Sequence, residues 1–282
     1  AGVRSRDRIV GIDNIPTKGL SLDECANRMR GAIGSEVKLS LERPLADGKA
    51  FEKLDVVIKR DRIAVTPIIA KLNQEENHKV GYIRLNQFNG NAAADMERTL
   101  RKFQSKGADR YVLDLRGNPG GLFDAGLQIA RMWIPEGTVV YTVDRHGVQE
   151  SFEAKGDAIT KAPLVVLTDG GSASASEILA GALQENDRAQ LVGTTTFGKG
   201  LIQSLYELED GAGLAVTIAK YETPKHHNIH KRGIIPDVEV ELKQPITRKQ
   251  LGTKEDPQYV AALSVVDGTY KSRLATTYFA KP

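Results

Sequence analysis

A chain of 282 residues with a net charge of +3 is long enough for one large domain or two ordinary ones. Its apolar and charged fractions, 40% and 27%, are those of a globular protein. No apolar run nears the roughly 18 residues of a spanning helix, so no integral membrane span is expected. The charge is dispersed, without a basic block, which gives no footing for a nucleic-acid partner. Five histidines and the lone Cys25 form no cluster with metal-ligand spacing and no internal disulfide, so neither metal nor other cofactor is expected. The opening Ala1-Gly2-Val3-Arg4-Ser5, without Met or a signal segment, reads as a mature product or a fragment.

In chain order, Arg8–Ile12 reads as a strand and Asp13-Asn14 as a turn. Ser21-Leu22-Asp23-Glu24 is a capping box, with Leu22, Cys25, Ala26 and Met29 on one helical face expected in a core. Val37–Leu41 and Leu54–Ile58 read as paired strands joined by a loop at Asp47-Gly48. The segment Gly2-Val3-Arg4-Ser5-Arg6-Asp7-Arg8-Ile9, followed by strand, helix and strand, resembles the second half of a PDZ domain. Arg6 stands where that family's pattern has glycine. The loop that catches a peptide carboxylate in PDZ domains would precede residue 1. The expectation is a partial PDZ domain over residues 1–66 and a linker over 67–78.

Residues 79–282 alternate differently. Lys79–Leu85 is a strand, and Met96, Leu100 and Phe103 mark a helix. The buried strand Tyr111–Leu115 runs into the loop Arg116-Gly117-Asn118-Pro119-Gly120-Gly121, then a helix with Leu127 and Ala130. Strand, helix and strand recur through Val139-Val140-Tyr141, Pro163–Leu167, Ile178–Ala182 and Leu191-Val192-Gly193. Leu214–Tyr221 is a last strong strand, and Asp256-Pro257 opens a last helix with a cap and a first-turn proline. The alternation predicts an α/β core with helices on a sheet.

The chemistry concentrates around Gly170-Gly171-Ser172-Ala173-Ser174-Ala175-Ser176-Glu177, a turn between a buried strand and a helix. A helix start presents free amides suited to an oxyanion, but serine is also a favoured N-cap, so the stretch alone does not choose among three serines. The loop 117–121 matches neither dinucleotide nor P-loop spacing, which leaves a structural turn or a source of backbone amides for an anion. A nucleophilic serine needs a base. His226, His227 and His230 sit in a polar loop, His78 in the expected linker and His146 at a hairpin tip. Lys199, in Thr196-Phe197-Gly198-Lys199-Gly200, can serve if burial disfavours its ammonium.

These stretches, together with Gln203, Leu113-Asp114-Leu115-Arg116, Tyr221-Glu222-Thr223-Pro224 and Gly233-Ile234-Ile235-Pro236-Asp237, are similar to the carboxyl-terminal processing (tail-specific) proteases. The resemblance covers nearly all of residues 79–282. It implies a crotonase/ClpP-like protease core and a Ser-Lys dyad. The spacing of 25 positions to Lys199 then selects Ser174 over Ser172 and Ser176. Carried over, Ser174 attacks the peptide carbonyl, Lys199 is the base, and Gln203 orients the lysine. The amide of Ala175, with one from Gly120 or Gly121, holds the oxyanion at about 3 kcal/mol per donor. Glu177 either stabilises the helix start or assists Lys199, and Arg116 anchors the glycine loop. Asp169 departs from a common Asn, and the pair His226-His227 departs from the pattern in its loop.

Leu122-Phe123-Asp124-Ala125-Gly126, Lys220–Pro224 and His230-Lys231 resemble the photosynthetic branch, which trims a photosystem II reaction-centre precursor on the lumenal or periplasmic side. The implied partners are C-terminal tails of proteins. Two readings compete: a catalytically non-competent PDZ-protease scaffold that binds peptide C-termini, and acyl chemistry of the enoyl-CoA hydratase type, against which the Ser-Lys pair argues.

Overall fold

A computed structural model describes residues 2–4, 7–45, 50–62, 66–75, 78–207 and 212–270, the side chains of 203–205, 207 and 215 excepted. The chain divides into two compact units, Ala1–Val65 and Thr66–Pro282.

In the first unit β1 (Arg8–Ile12), β2 (Ile15–Pro16), β3 (Glu36–Pro44) and β4 (Phe51–Lys59) form an antiparallel sheet in the order β2-β1-β3-β4, with α1 (Leu22–Met29) between β2 and β3. Asp13 and Asn14 turn the chain at φ +47° and +64°, a region that short Asx side chains tolerate. The capping box forms: Ser21 N donates to Glu24 Oε2 at 2.7 Å and Glu24 N to Ser21 Oγ at 3.2 Å. Ile12, Val37, Leu39 and Leu41 make the core, and Cys25 and Met29 pack against it half-buried. Leu22, expected with them, is 89% exposed. As the first helical residue its side chain leans back past the cap, off the sheet. Arg6 and Asp47-Gly48 lie outside the described residues.

The second unit begins earlier than expected. Residues 68–75 of the predicted linker form β5 (Ile68–Glu75), paired antiparallel with β6 (His78–Leu85) from Ile68↔Leu85 to Glu75↔His78. Its polar Lys71, Asn73 and Gln74 hid an edge strand, where one side of the ladder suffices to satisfy the backbone. There follow α2 (Ala92–Ser105), β7 (Arg110–Asp114), α3 (Phe123–Trp133), β8 (Glu136–Asp144), β9 (Gly147–Lys155), β10 (Leu164–Thr168), α4 (Ala175–Glu185), β11 (Gln190–Gly193), β12 (Leu201–Glu207), β13 (Gly213–Glu222), β14 (Val238–Glu239) and α5 (Pro257–Val266).

The main sheet runs β14-β11-β10-β7-β6-β5, parallel except for β5. Alternate residues feed two apolar layers. Ile83, Leu113, Val166 and Leu191 join Met96, Leu100, Ile129, Trp133 and Leu179 of α2, α3 and α4. Tyr82, Val112, Val165, Leu167 and Val192 join Tyr259, Ala262 and Val265 of α5. Burial on both faces explains why Leu164–Leu167 reads as an unbroken apolar run. The stretch Val139-Val140-Tyr141 is not part of this core sheet. It belongs to β8, which forms a hairpin with β9 in a second sheet of order β12-β13-β8-β9. The fold is mixed α/β, with the second sheet an antiparallel addition.

Candidate active site

β7, β10 and β11 end side by side, and the segments leaving their C-terminal ends (residues 115–122, 169–174 and 194–200) meet around Ser174. Open α/β sheets bind ligands at this edge. Ser174 has φ +57° and ψ −117°, although it carries a side chain. Such a conformation costs on the order of 1–3 kcal/mol and persists only where its surroundings fix it. Here they do. Ser174 N donates to Glu177 Oε2 at 2.9 Å, and its carbonyl accepts from Glu177 N at 2.8 Å and Ile178 N at 3.0 Å.

The three serines now part company. Ser172 is buried, donates to Leu115 O at 2.9 Å and accepts from Asp169 N at 3.1 Å. Ser176 is buried and donates to Asn118 O at 2.9 Å. Ser174 is half-buried, at the head of α4, on a strained strand-to-helix turn that pushes its hydroxyl outward.

Glu177 is the hub. Its carboxylate is fully buried and accepts four hydrogen bonds from two segments: Ser174 N, and Thr196 Oγ1 at 2.6 Å, Gly198 N at 2.6 Å and Lys199 N at 2.8 Å. One side chain therefore caps α4 and fastens the Lys199 turn to the Ser174 turn. Both uses weighed from the sequence are present, and the support to Lys199 reaches its backbone. The Lys199 side chain itself is exposed, and no hydrogen bond joins it to Ser174 Oγ. The burial expected of it is absent here because the glycines beside it take the inner positions. A Cβ on Gly200 would meet His230 N at 2.6 Å, and one on Gly198 would meet Arg232 N and Gly233 N at 3.0 Å. These glycines admit close backbone packing, with Lys231 N donating to Gly198 O at 2.8 Å. Gln203 lies in β12 opposite Thr217; its side chain is outside the described residues.

Among the candidate oxyanion donors, Gly120 N is occupied, donating to Asn118 Oδ1 at 2.9 Å. The amides of Gly121 and Ala175 have no acceptor among the described residues. Gly120 packs directly on the serine turn at φ +95°: a Cβ there would lie 2.6 Å from Ala173 O, 2.8 Å from Ser174 Cβ and 2.9 Å from Ala175 N. Gly120→Ala is accordingly expected to destabilise the fold by about 1 kcal/mol or more, because Ala is strained at this positive φ and its Cβ overlaps the serine turn. A thermal melt of the purified variant checks this; an unaltered melting temperature would show that the two loops part without cost.

Polar side chains around the turn hold the loops together, and of Asn118, Asp169 and Arg116 only Asn118 was not singled out from the sequence. Buried Asn118 donates to Leu85 O at 2.8 Å and its carbonyl accepts from Ala173 N at 3.0 Å. Asp169 Oδ1, the departure from Asn, accepts from Gly117 N at 2.8 Å and Gly171 N at 2.9 Å. A carboxylate meets both amides as an Asn carbonyl would. Arg116 is 4% exposed and grips Asp114 and Asp256, each at 2.7 Å, with Gln258 at 2.8 Å. Arg84 adds a second cation on Asp114 at 2.9 Å. Burial alone would raise the Asp114 pKa, but hydrogen bonds and charge from Arg116, with Arg84 and Tyr82, hold it below the usual carboxylate value. Arg116 is thus an anchor of the glycine loop. The departure His226-His227 is also paired, His226 with Glu222 at 3.0 Å and His227 with Glu185 at 2.7 Å. A surface hollow of about 660 Å³ around Asp144, His146 and Lys220 includes neither Ser174 nor Lys199.

A strained serine at a helix start, over the C-terminal ends of a largely parallel sheet, is the arrangement of a hydrolytic enzyme on an α/β frame. The chain belongs to peptidase family S41, whose family model matches residues 79–240. A carboxyl-terminal-processing protease of Picosynechococcus is 54% identical over 266 residues, covering 94% of this chain and 63% of its own length. The corresponding protease of Synechocystis is 53% identical over 270 residues, covering 95% and 62%. The chain spans about three-fifths of the length of these curated relatives. A solved photosystem II D1 C-terminal processing protease matches with a TM-score of 0.65 at 35% identity, over 92% of this chain and 70% of that one.

Proposed function

We propose that the chain carries the catalytic unit of a serine endopeptidase that cuts protein substrates near their C-termini with a Ser174-Lys199 dyad. The observation that carries this reading is the Glu177 carboxylate, which fastens the strained Ser174 turn and the Lys199 turn to one another beside the free amides of Gly121 and Ala175. Ser174 Oγ adds to the peptide carbonyl carbon while Lys199 Nζ takes the hydroxyl proton. The oxyanion turns toward the Gly121 and Ala175 amides, at the positive end of α4. Collapse expels the amine, which receives the proton from Lys199, and water then releases the acyl group by the same steps. Gln203, four residues past Lys199, orients the lysine. A substrate laid over the exposed lysine removes the water around its amine, supplying the burial that the chain alone leaves undone.

The first unit, a β2-β1-β3-β4 sheet with one helix, supports its reading as part of a PDZ domain, and the main sheet supports a crotonase/ClpP-like core. The similarity to the cyanobacterial proteases and to the D1 processing structure supports a photosystem II precursor as substrate, on the periplasmic or thylakoid-lumenal side of a membrane. Among the described residues no helix is long and apolar enough to cross one. The rival reading, a non-competent scaffold that binds peptide C-termini, draws on the missing hydrogen bond between Ser174 and Lys199. Incubation with a peptide ending in free apolar residues, followed by mass spectrometry, decides between them. Internal cleavage near the C-terminus is expected; binding without any cleavage would establish the scaffold.

A further inference from the structure

We infer that Leu122 and Phe197 are the specificity-determining side chains of this site, two apolar contacts that read the substrate residues flanking the scissile bond; the inference rests on the protease reading above. Large apolar side chains left in water on a rigid backbone mark contact surfaces when they cluster at a site. Leu122 is 54% exposed and Phe197 66% exposed. Neither sits on a loose segment. Leu122 N donates to Phe88 O at 2.7 Å, and Leu122 directly follows Gly121, whose amide is free. Gly120, two positions before it, packs within contact of Ser174 Cβ. Phe197 N donates to Ser172 O at 3.0 Å, which fixes it to the serine turn itself.

The burial pattern then sets the direction. Through Thr196-Phe197-Gly198-Lys199-Gly200 burial alternates: Thr196, Gly198 and Gly200 are buried, while Phe197 and Lys199 are exposed. Phe197 therefore stands on the same open side as the candidate base. Thr196 and Gly198 on either side of it are both held by the Glu177 carboxylate, so its position is fixed relative to Ser174. A carbonyl whose oxygen points at the Gly121 and Ala175 amides has Leu122 next to one donor, while Phe197 approaches from the lysine turn. Two segments anchored beside the serine turn thus each carry one exposed apolar group. The chemical class they select is an extended peptide with uncharged apolar residues on both sides of the cut.

The test is a peptide series that differs only at the two residues flanking the cleaved bond, Leu against Ser at each, measured as kcat/KM on the full chain. Wild type is expected to prefer Leu by about 10-fold or more at each position, the scale of an apolar side-chain contact. Phe197→Ser is expected to cut that preference below about 3-fold at one position and Leu122→Ser at the other. Phe197→Leu and Leu122→Met keep an apolar contact and should retain it, with melting temperatures near wild type throughout. Unchanged preferences in both serine variants, with cleavage still abolished by Ser174→Ala, would overturn this inference and leave the protease reading standing. Cleavage that persists in Ser174→Ala would overturn both.

Discussion

Ser174→Ala is expected to lower kcat by about 10⁴-fold or more on a peptide with a free apolar C-terminus, leaving melting temperature within a few degrees of wild type. The hydroxyl is the only group removed, and, unlike those of Ser172 and Ser176, it donates no bond to the loop that follows β7. The loss of strain is nil, because Ala at φ +57° is no better suited than Ser. Lys199→Ala is expected to cost nearly as much, and the double variant no more than the worse single one, because nucleophile and base act on one proton. Single-turnover rates on the three variants give the comparison. Additive losses, or a Ser174→Ala enzyme as fast as wild type, would dismantle the dyad.

Glu177→Ala is expected to damage both stability and rate. It strands four donors, of which Thr196 Oγ1 and Gly198 N are in buried bonds and Ser174 N and Lys199 N in partly buried ones. At about 1–3 kcal/mol for each unsatisfied buried group, partly relieved by relaxation, a loss of about 3 kcal/mol or more follows. The rate should fall by about 100-fold or more, since displacements near 1 Å at reacting groups have that effect. Glu177→Gln preserves shape but turns an NH₂ toward amide donors, so it should recover part of the stability and little of the rate. Thermal melts and kcat of the two variants check this; a Gln variant with wild-type kcat would show that the carboxylate merely fills space.

Much of the frame was legible because the pattern is local. The spacing of Met96, Leu100 and Phe103 and the apolar run Leu164–Leu167 reported elements correctly, as did the Ser21/Glu24 and Asp256-Pro257 caps. What was not legible is long-range. β5 looks like a linker until β6 supplies its partner, and β8 looks like a core strand until β13 and β9 claim it. Glu177 reads locally as a capping residue, but three of its four donors come from residues 196–199, brought near only by the sheet. The selection of Ser174 came through its distance in sequence from Lys199. In the structure Ser174 lies on a strained turn, and the hydroxyls of Ser172 and Ser176 on either side of it are occupied.

The Arg116 cluster has a bearing on where this chain can be cut. Asp114 and Asp256 balance Arg84 and Arg116, two negative against two positive charges, and Asp256 is the N-cap of α5. The stretch recognised as the peptidase family ends at residue 240, short of Asp256 and the whole of α5. A protein trimmed to that stretch would strip Arg116, at the start of the loop bearing Gly120 and Gly121, of Asp256 and Gln258 and uncover the face that Tyr259, Ala262 and Val265 bury. Breaking a buried charge cluster by removing one partner costs about 3–5 kcal/mol. The unit that folds together is therefore wider than its recognisable signature, and α5 is a keystone rather than a tail.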